Sequence, residues 1–175
     1  MDKSLTITYL SVLVVLLAAA AWFVLRQAFK IRKVESRLYK LQNKLDKEDV
    51  TVEEYYELGS IFLDKSLFSQ AIPIFKKIIK FKGIEPEIKA LAYNALGFAY
   101  SAQEQYDLAI RQYKEALKIN PEYVTALNNI GFAYERKNLT AQALEIYEDA
   151  LRYESKNKTA KKRAESLRKR LAPSE

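Results

Sequence analysis

The sequence has no cysteine and no histidine. Without cysteine there is no disulfide, no thiolate zinc site and no haem attachment; without histidine there is no Ser-His or Cys-His nucleophile pair and no usual pH switch. Neither a disulfide framework nor a free-thiol pattern marks a redox compartment. Glycine and proline are scarce, with four of each in 175 residues. No glycine-rich phosphate loop and no paired carboxylates stand out. An enzyme is therefore not expected, and no catalytic residue, metal ligand or cofactor is assigned.

What is present divides into two materials. Apolar residues make up 49% of the chain, but they form one dense block near the N-terminus and periodic singles afterwards. The net charge of +7 is also uneven. Residues 1–51 carry 9 basic and 5 acidic side chains, residues 52–153 carry 12 and 14, and residues 154–175 carry 8 and 3. The middle is slightly acidic, so the basic excess is not the footprint of a nucleic-acid-binding domain, and the tail lacks the aromatics that stack bases. The tail's charges read as a solvated helix face, with contact to anionic lipid or an acidic partner as the alternative.

From Leu5 to Leu25 there are 21 uncharged residues, enough to span a bilayer core, which takes about 20 helical residues. A cleavable signal peptide is the competing reading, because Ala18 to Ala21 offer small residues after an apolar run. Against it, the apolar stretch continues through Trp22, Phe23, Val24 and Leu25, and the leading segment holds only Lys3 against Asp2. Arg26, Lys30, Arg32, Lys33, Arg37 and Lys40 follow. Basic flanks of this kind stay on the side of synthesis, so the remainder is expected on the cytoplasmic or stromal side. Ile31, Val34, Leu38, Leu41 and Leu45 are spaced like a short coiled-coil seam. About two heptads cannot hold a dimer alone, so the stripe reads first as a helix that continues the anchor and packs on the first repeat, and second as a weak self-association surface at 31–45.

The remaining signal is a repeat of period 34. Leu96-Gly97, Tyr100, Ala109, Tyr113 and Ala116 recur as Ile130-Gly131, Tyr134, Ala143, Tyr147 and Ala150. An earlier copy reads Leu58-Gly59, Phe62, Ala71, Phe75 and Ile78, with four extra residues within Lys80 to Glu87. The small residues allow two helices to approach closely, where larger ones would overpack the crossing. The recurring aromatics, with Tyr55 and Tyr93, fill the gaps between helices. Thr51 and Glu54 read as a capping box, Asn138 falls at a turn that tolerates a left-handed backbone, and Pro121 stops a helix.

These positions resemble the tetratricopeptide-repeat family, the middle copy ALAYNALGFAYSAQEQYDLAIRQYKEALKINP most fully. The outer copies depart at Ile78, Pro73, Gly83 and Ser155, departures expected to lie at helix ends or to exchange apolar residues. The expected fold is all-α. An N-terminal transmembrane helix (1–25) leads to a basic helical connector (26–51). Three repeats (52–85, 90–123 and 124–157) form a short right-handed α-solenoid, and a basic capping helix and tail (158–175) closes it through Ala160, Ala164, Leu167 and Leu171.

The resemblance implies a concave groove lined by the first helix of each repeat. Its expected members are Tyr56, Ser60 and Leu63, then Asn94, Phe98 and Ser101, then Asn128, Phe132 and Arg136, with Glu53, Asp64, Leu91, Ala102, Thr125 and Glu135 at the flanks. Asparagines there can pair with a bound backbone and phenylalanines can anchor it; the other reading packs both phenylalanines into the core. The family's clamp for acidic chaperone tails uses lysine and asparagine at these positions, so the asparagine and phenylalanine here argue against that ligand. The whole layout resembles the thylakoid tetratricopeptide family of cyanobacteria and algal plastids that aids photosystem I assembly, which implies photosystem I subunits or intermediates as partners and no cofactor. An import or secretion receptor reading targeting peptides and a bacterial envelope scaffold are the alternatives the same layout admits.

Overall fold

A computed structural model describes residues 3–45 and 50–171, with side chains from Tyr9 onward. Asp2 and the side chain of Lys3, residues 46–49 of the connector and residues 172–175 of the tail lie outside the described residues. The chain divides into two units, Met1–Asp49 and Val50–Glu175. The described secondary structure is all helical.

The first unit contains one helix, α1 (Lys3–Leu45). The uncharged run and the basic stretch share it, so the change at residue 25 is one of composition within a continuous helix. Among the described residues this is the one helix long and apolar enough to cross a membrane; its apolar window has mean hydropathy 2.1 and none of it is buried.

The second unit is three helical hairpins and a cap. The hairpins pair α2 (Val52–Asp64) with α3 (Phe68–Ile79), α4 (Pro86–Ala102) with α5 (Tyr106–Ile119), and α6 (Val124–Arg136) with α7 (Thr140–Tyr153); α8 (Lys158–Leu171) follows. Each helix packs on the next in chain order. The capping box opens α2: the Glu54 N–H donates to Thr51 Oγ1 at 3.3 Å and the Thr51 N–H donates to Glu54 Oε2 at 3.4 Å. Within each hairpin the turn centres on one left-handed residue: Ser66 (φ 58°), Glu104 (φ 60°) and Asn138 (φ 60°). The next residue's N–H then reaches back to close the preceding helix, Leu67 to Phe62 O, Gln105 to Tyr100 O and Leu139 to Tyr134 O, at 2.8 to 2.9 Å. Only Asn138 announced this conformation by its residue type.

The four-residue insertion is not slack in a loop. Helix α4 begins at Pro86, whereas its counterpart α6 begins at Val124, so residues 86–89 form an additional first turn, with Pro86 at a helix start where its missing N–H costs nothing. Helix α4 therefore starts four residues before Ala90, where the second repeat was expected to begin. Pro73, expected inside the early second helix, does lie inside α3. Its missing N–H leaves the Ser69 carbonyl without the usual helix partner, but both residues are exposed, so water can meet that group.

At the far end Ala160, Ala164 and Leu167 are buried against a cluster containing Leu127, Ala143, Tyr147 and Ala150. Leu171, expected in the same stripe, is 47% exposed because α8 ends there, beyond the third repeat's cover. Two of the tail's cations bind back onto that repeat: Arg168 Nη2 meets Glu148 Oε1 at 2.7 Å and Arg163 Nη1 meets Glu135 Oε2 at 3.6 Å.

Candidate interaction groove

Helices α2, α4 and α6 lie side by side, each touching the next, so equivalent positions on them line one face. Phe98 and Phe132 occupy the same place in successive repeats and are 46% and 41% exposed. The reading that buries them in the core is thereby set aside. Phe98 is steadied from one side only, where the Phe68 ring meets it at an angle of 71° with centroids 6.3 Å apart. Leu91, about two turns earlier on α4, is 39% exposed and extends the apolar strip. Tyr56, Ser60 and Leu63 of α2 are half-buried. The Tyr56 ring stands edge-on to Phe75, with centroids 5.7 Å apart, and burial raises its phenol pKa.

The polar members behave differently from expectation. Asn94 Oδ1 already accepts from Asn129 Nδ2 at 3.0 Å, and Asn128 Nδ2 donates to Asn157 Oδ1 at 3.3 Å, so both amides serve as ties between neighbouring elements. Asn157 Oδ1 also accepts the Ala160 N–H at 2.9 Å, fixing the start of α8, while Asn128 Oδ1 is buried without a partner. Ser101 is buried, and its hydroxyl hydrogen-bonds the Tyr113 phenol within its own hairpin. It leaves the groove list, because on α4 its position has turned toward α5. Arg136 is exposed but engaged: Nε donates to Tyr106 Oη at 3.0 Å, the guanidinium sits 5.9 Å from that ring's centroid, and Nη2 lies 3.8 Å from Glu104 Oε1. Those contacts raise its pKa further, the Tyr106 hydrogen bond first. It joins two repeats and does not stand free for a ligand.

What the face offers is therefore apolar contact, with most of its polar groups spoken for internally. No three acidic side chains among the described residues gather to hold a metal ion.

Two stretches match the repeat family, residues 97–138 as TPR repeat and residues 124–157 as tetratricopeptide repeat. The ycf37 protein of Cyanophora paradoxa is 36% identical over 126 residues, which cover 72% of this chain and 73% of that one. The chain belongs to the ycf37 family of tetratricopeptide-repeat proteins. A chloroplastic tetratricopeptide repeat domain-containing protein of Arabidopsis thaliana is 33% identical over 97% of this chain, which spans 56% of that longer protein. Among solved structures, the Arabidopsis OM64 TPR domain superposes with a TM-score of 0.63 at 25% identity, covering 69% of this chain and 96% of that domain.

In this ycf37-family chain the sequence reading overlooked the aromatic that opens the second helix of the first and second repeats. Phe68 touches Phe98 and Tyr106 touches Arg136, in both cases reaching forward to the next repeat. The signal was available, since an aromatic recurs at the 38-residue offset from 68 to 106, but it lies outside the consensus positions that define the period.

Proposed function

We propose that this protein is a membrane-anchored, non-catalytic scaffold whose repeats bind subunits or assembly intermediates of photosystem I, with α1 crossing the thylakoid membrane and the repeats on the cytoplasmic or stromal side. The observation that carries the binding role is the paired exposure of Phe98 and Phe132 on an open face. Large aromatic side chains at matched positions of a rigid solenoid are the kind of anchor from which interface hot spots are built. The membrane role is supported by the unburied apolar window of α1 and by the basic residues that follow it on the same helix. The chloroplastic relative and the algal ones favour a plastid-type membrane, and the full layout resembles the thylakoid family that aids photosystem I assembly. In this reading the protein holds a partner transiently and supplies no chemistry.

The test is mass spectrometry of what copurifies with a C-terminally tagged copy from native membranes in mild detergent. Photosystem I subunits should be enriched. Recovery of precursor proteins or envelope components with no photosystem subunit would overturn the partner assignment.

A further inference from the structure

The additional turn of α4 builds something the three-repeat plan does not require. It forms one wall of a half-open cavity of about 480 Å³ beside the groove. Ala90 and Leu91 continue that wall, and the loop between α5 and α6 supplies Pro121 and Tyr123 opposite it, with Tyr153 from the end of α7 closing the side. The loop is held in shape by Asn120, whose Oδ1 accepts the Glu122 N–H at 3.1 Å and whose carbonyl accepts the Tyr123 N–H at 3.2 Å. Leu91 belongs to both the cavity wall and the groove's apolar strip, so the two adjoin at α4.

A small molecule is a poor fit. Sites for such ligands orient them with several converging polar groups, whereas here Asn120 Oδ1 is already used by its own loop. The remaining polar groups are the carboxylates of Glu87 and Glu122, both exposed, and the phenols of Tyr123 and Tyr153. Glu87 also suits the first turn of α4, and Glu122 the approach to the start of α6, where a helix dipole favours an acid. No cation lines the cavity to offset them. An apolar recess with two carboxylates at its mouth complements an apolar side chain with positive charge beside it.

We propose that this cavity is a docking pocket for a protein segment carrying a phenylalanine or large aliphatic residue flanked by lysine or arginine, and that the four-residue insertion exists to form it. The inference deepens the scaffold reading, because it names the chemistry of the segment the scaffold selects. The groove phenylalanines then supply general apolar contact and the pocket supplies selectivity.

Three fluorescein-labelled peptides with identical Gly-Ser flanks test it on the full chain in detergent, by fluorescence anisotropy at fixed salt. Their centres are Lys-Lys-Phe-Lys-Lys, Glu-Glu-Phe-Glu-Glu and Lys-Lys-Ser-Lys-Lys. The first should bind about tenfold or more tighter than either other. Glu87→Lys combined with Glu122→Lys, two exposed changes checked for helicity by circular dichroism, should reverse the order of the first two. Should the double variant lose its fold, Leu91→Ser serves in its place and should remove the advantage of Phe over Ser. Equal binding of the three peptides, or a preference untouched by these variants, overturns the pocket. So does a preference abolished by Phe98→Ala with Phe132→Ala but unchanged by the charge reversal. If photosystem I subunits copurify and the peptides show no preference, the pocket alone is lost. If the preference holds and no photosystem subunit copurifies, the partner assignment alone is lost.

Discussion

The Tyr113 ring occupies the space a side chain on Gly97 would need: a Cβ built on Gly97 would meet Tyr113 Cε1 at 2.5 Å. The same relationship recurs between Gly131 and Tyr147 at 2.7 Å and between Gly59 and Phe75 at 2.7 Å. Each pair brings the first helix of a hairpin against a ring of the second. All three rings are buried, so none can swing away without opening the core.

Gly97→Leu should therefore destabilise the protein by about 1–3 kcal/mol through overpacking, read as a lower urea midpoint. An unchanged midpoint would mean that the helix crossing is not where the glycine places it.

Phe98 and Phe132 make the opposite case. Replacing both by alanine should leave helicity intact and shift stability by no more than about 0.5 kcal/mol each, as for surface changes. Recovery of the natural partner in copurification should fall at least about tenfold, the scale of a hot-spot loss. A collapse of the circular dichroism signal would show that these rings hold the fold.

Alkaline stability follows from two buried phenols. Burial raises the pKa of Tyr113, with the Ser101 hydrogen bond acting the other way, and burial also raises that of Tyr147, helped by its 2.8 Å hydrogen bond to Glu135 and that group's charge. A folded-state pKa above the unfolded value means the stabilisation is complete below the ordinary tyrosine pKa of about 10 and is lost as pH rises beyond it. Urea midpoints should be level up to about pH 9 and fall steeply above about pH 10, with near-ultraviolet absorbance reporting these two phenolates only as the chain unfolds. Tyr147→Phe should flatten part of that fall. A fall no shallower in Tyr147→Phe would assign the alkaline loss to other groups.

Removing residues 1–25 tests the division of labour between the units. Residues 50–171 contain the hairpin core and its cap, so the shortened chain should stay in the supernatant after ultracentrifugation with its helicity retained. Aggregation would show that the repeats depend on the apolar segment for more than attachment.

The period of 34, the small residues at the crossings and the aromatic partners were legible in the linear chain because each hairpin is a local structure whose contacts repeat at fixed offsets. The apolar run of α1 was legible for a related reason, since composition alone decides whether a helix can sit in a bilayer. The groove was only half legible. Family positions say which residues share a face, but not that Ser101 and its equivalent Glu135 turn inward, each toward the tyrosine of its own hairpin, Tyr113 and Tyr147. They also do not reveal that Arg136 is tied to Tyr106, or Asn94 to Asn129, because those pairings join neighbouring repeats and depend on how far each is rotated onto the next. The insertion was visible as four surplus residues. That it became a helical turn and not a longer loop, and that its turn faces Tyr123 and Tyr153 across a cavity, was decided by tertiary packing, which brings together segments more than thirty residues apart that no local propensity relates.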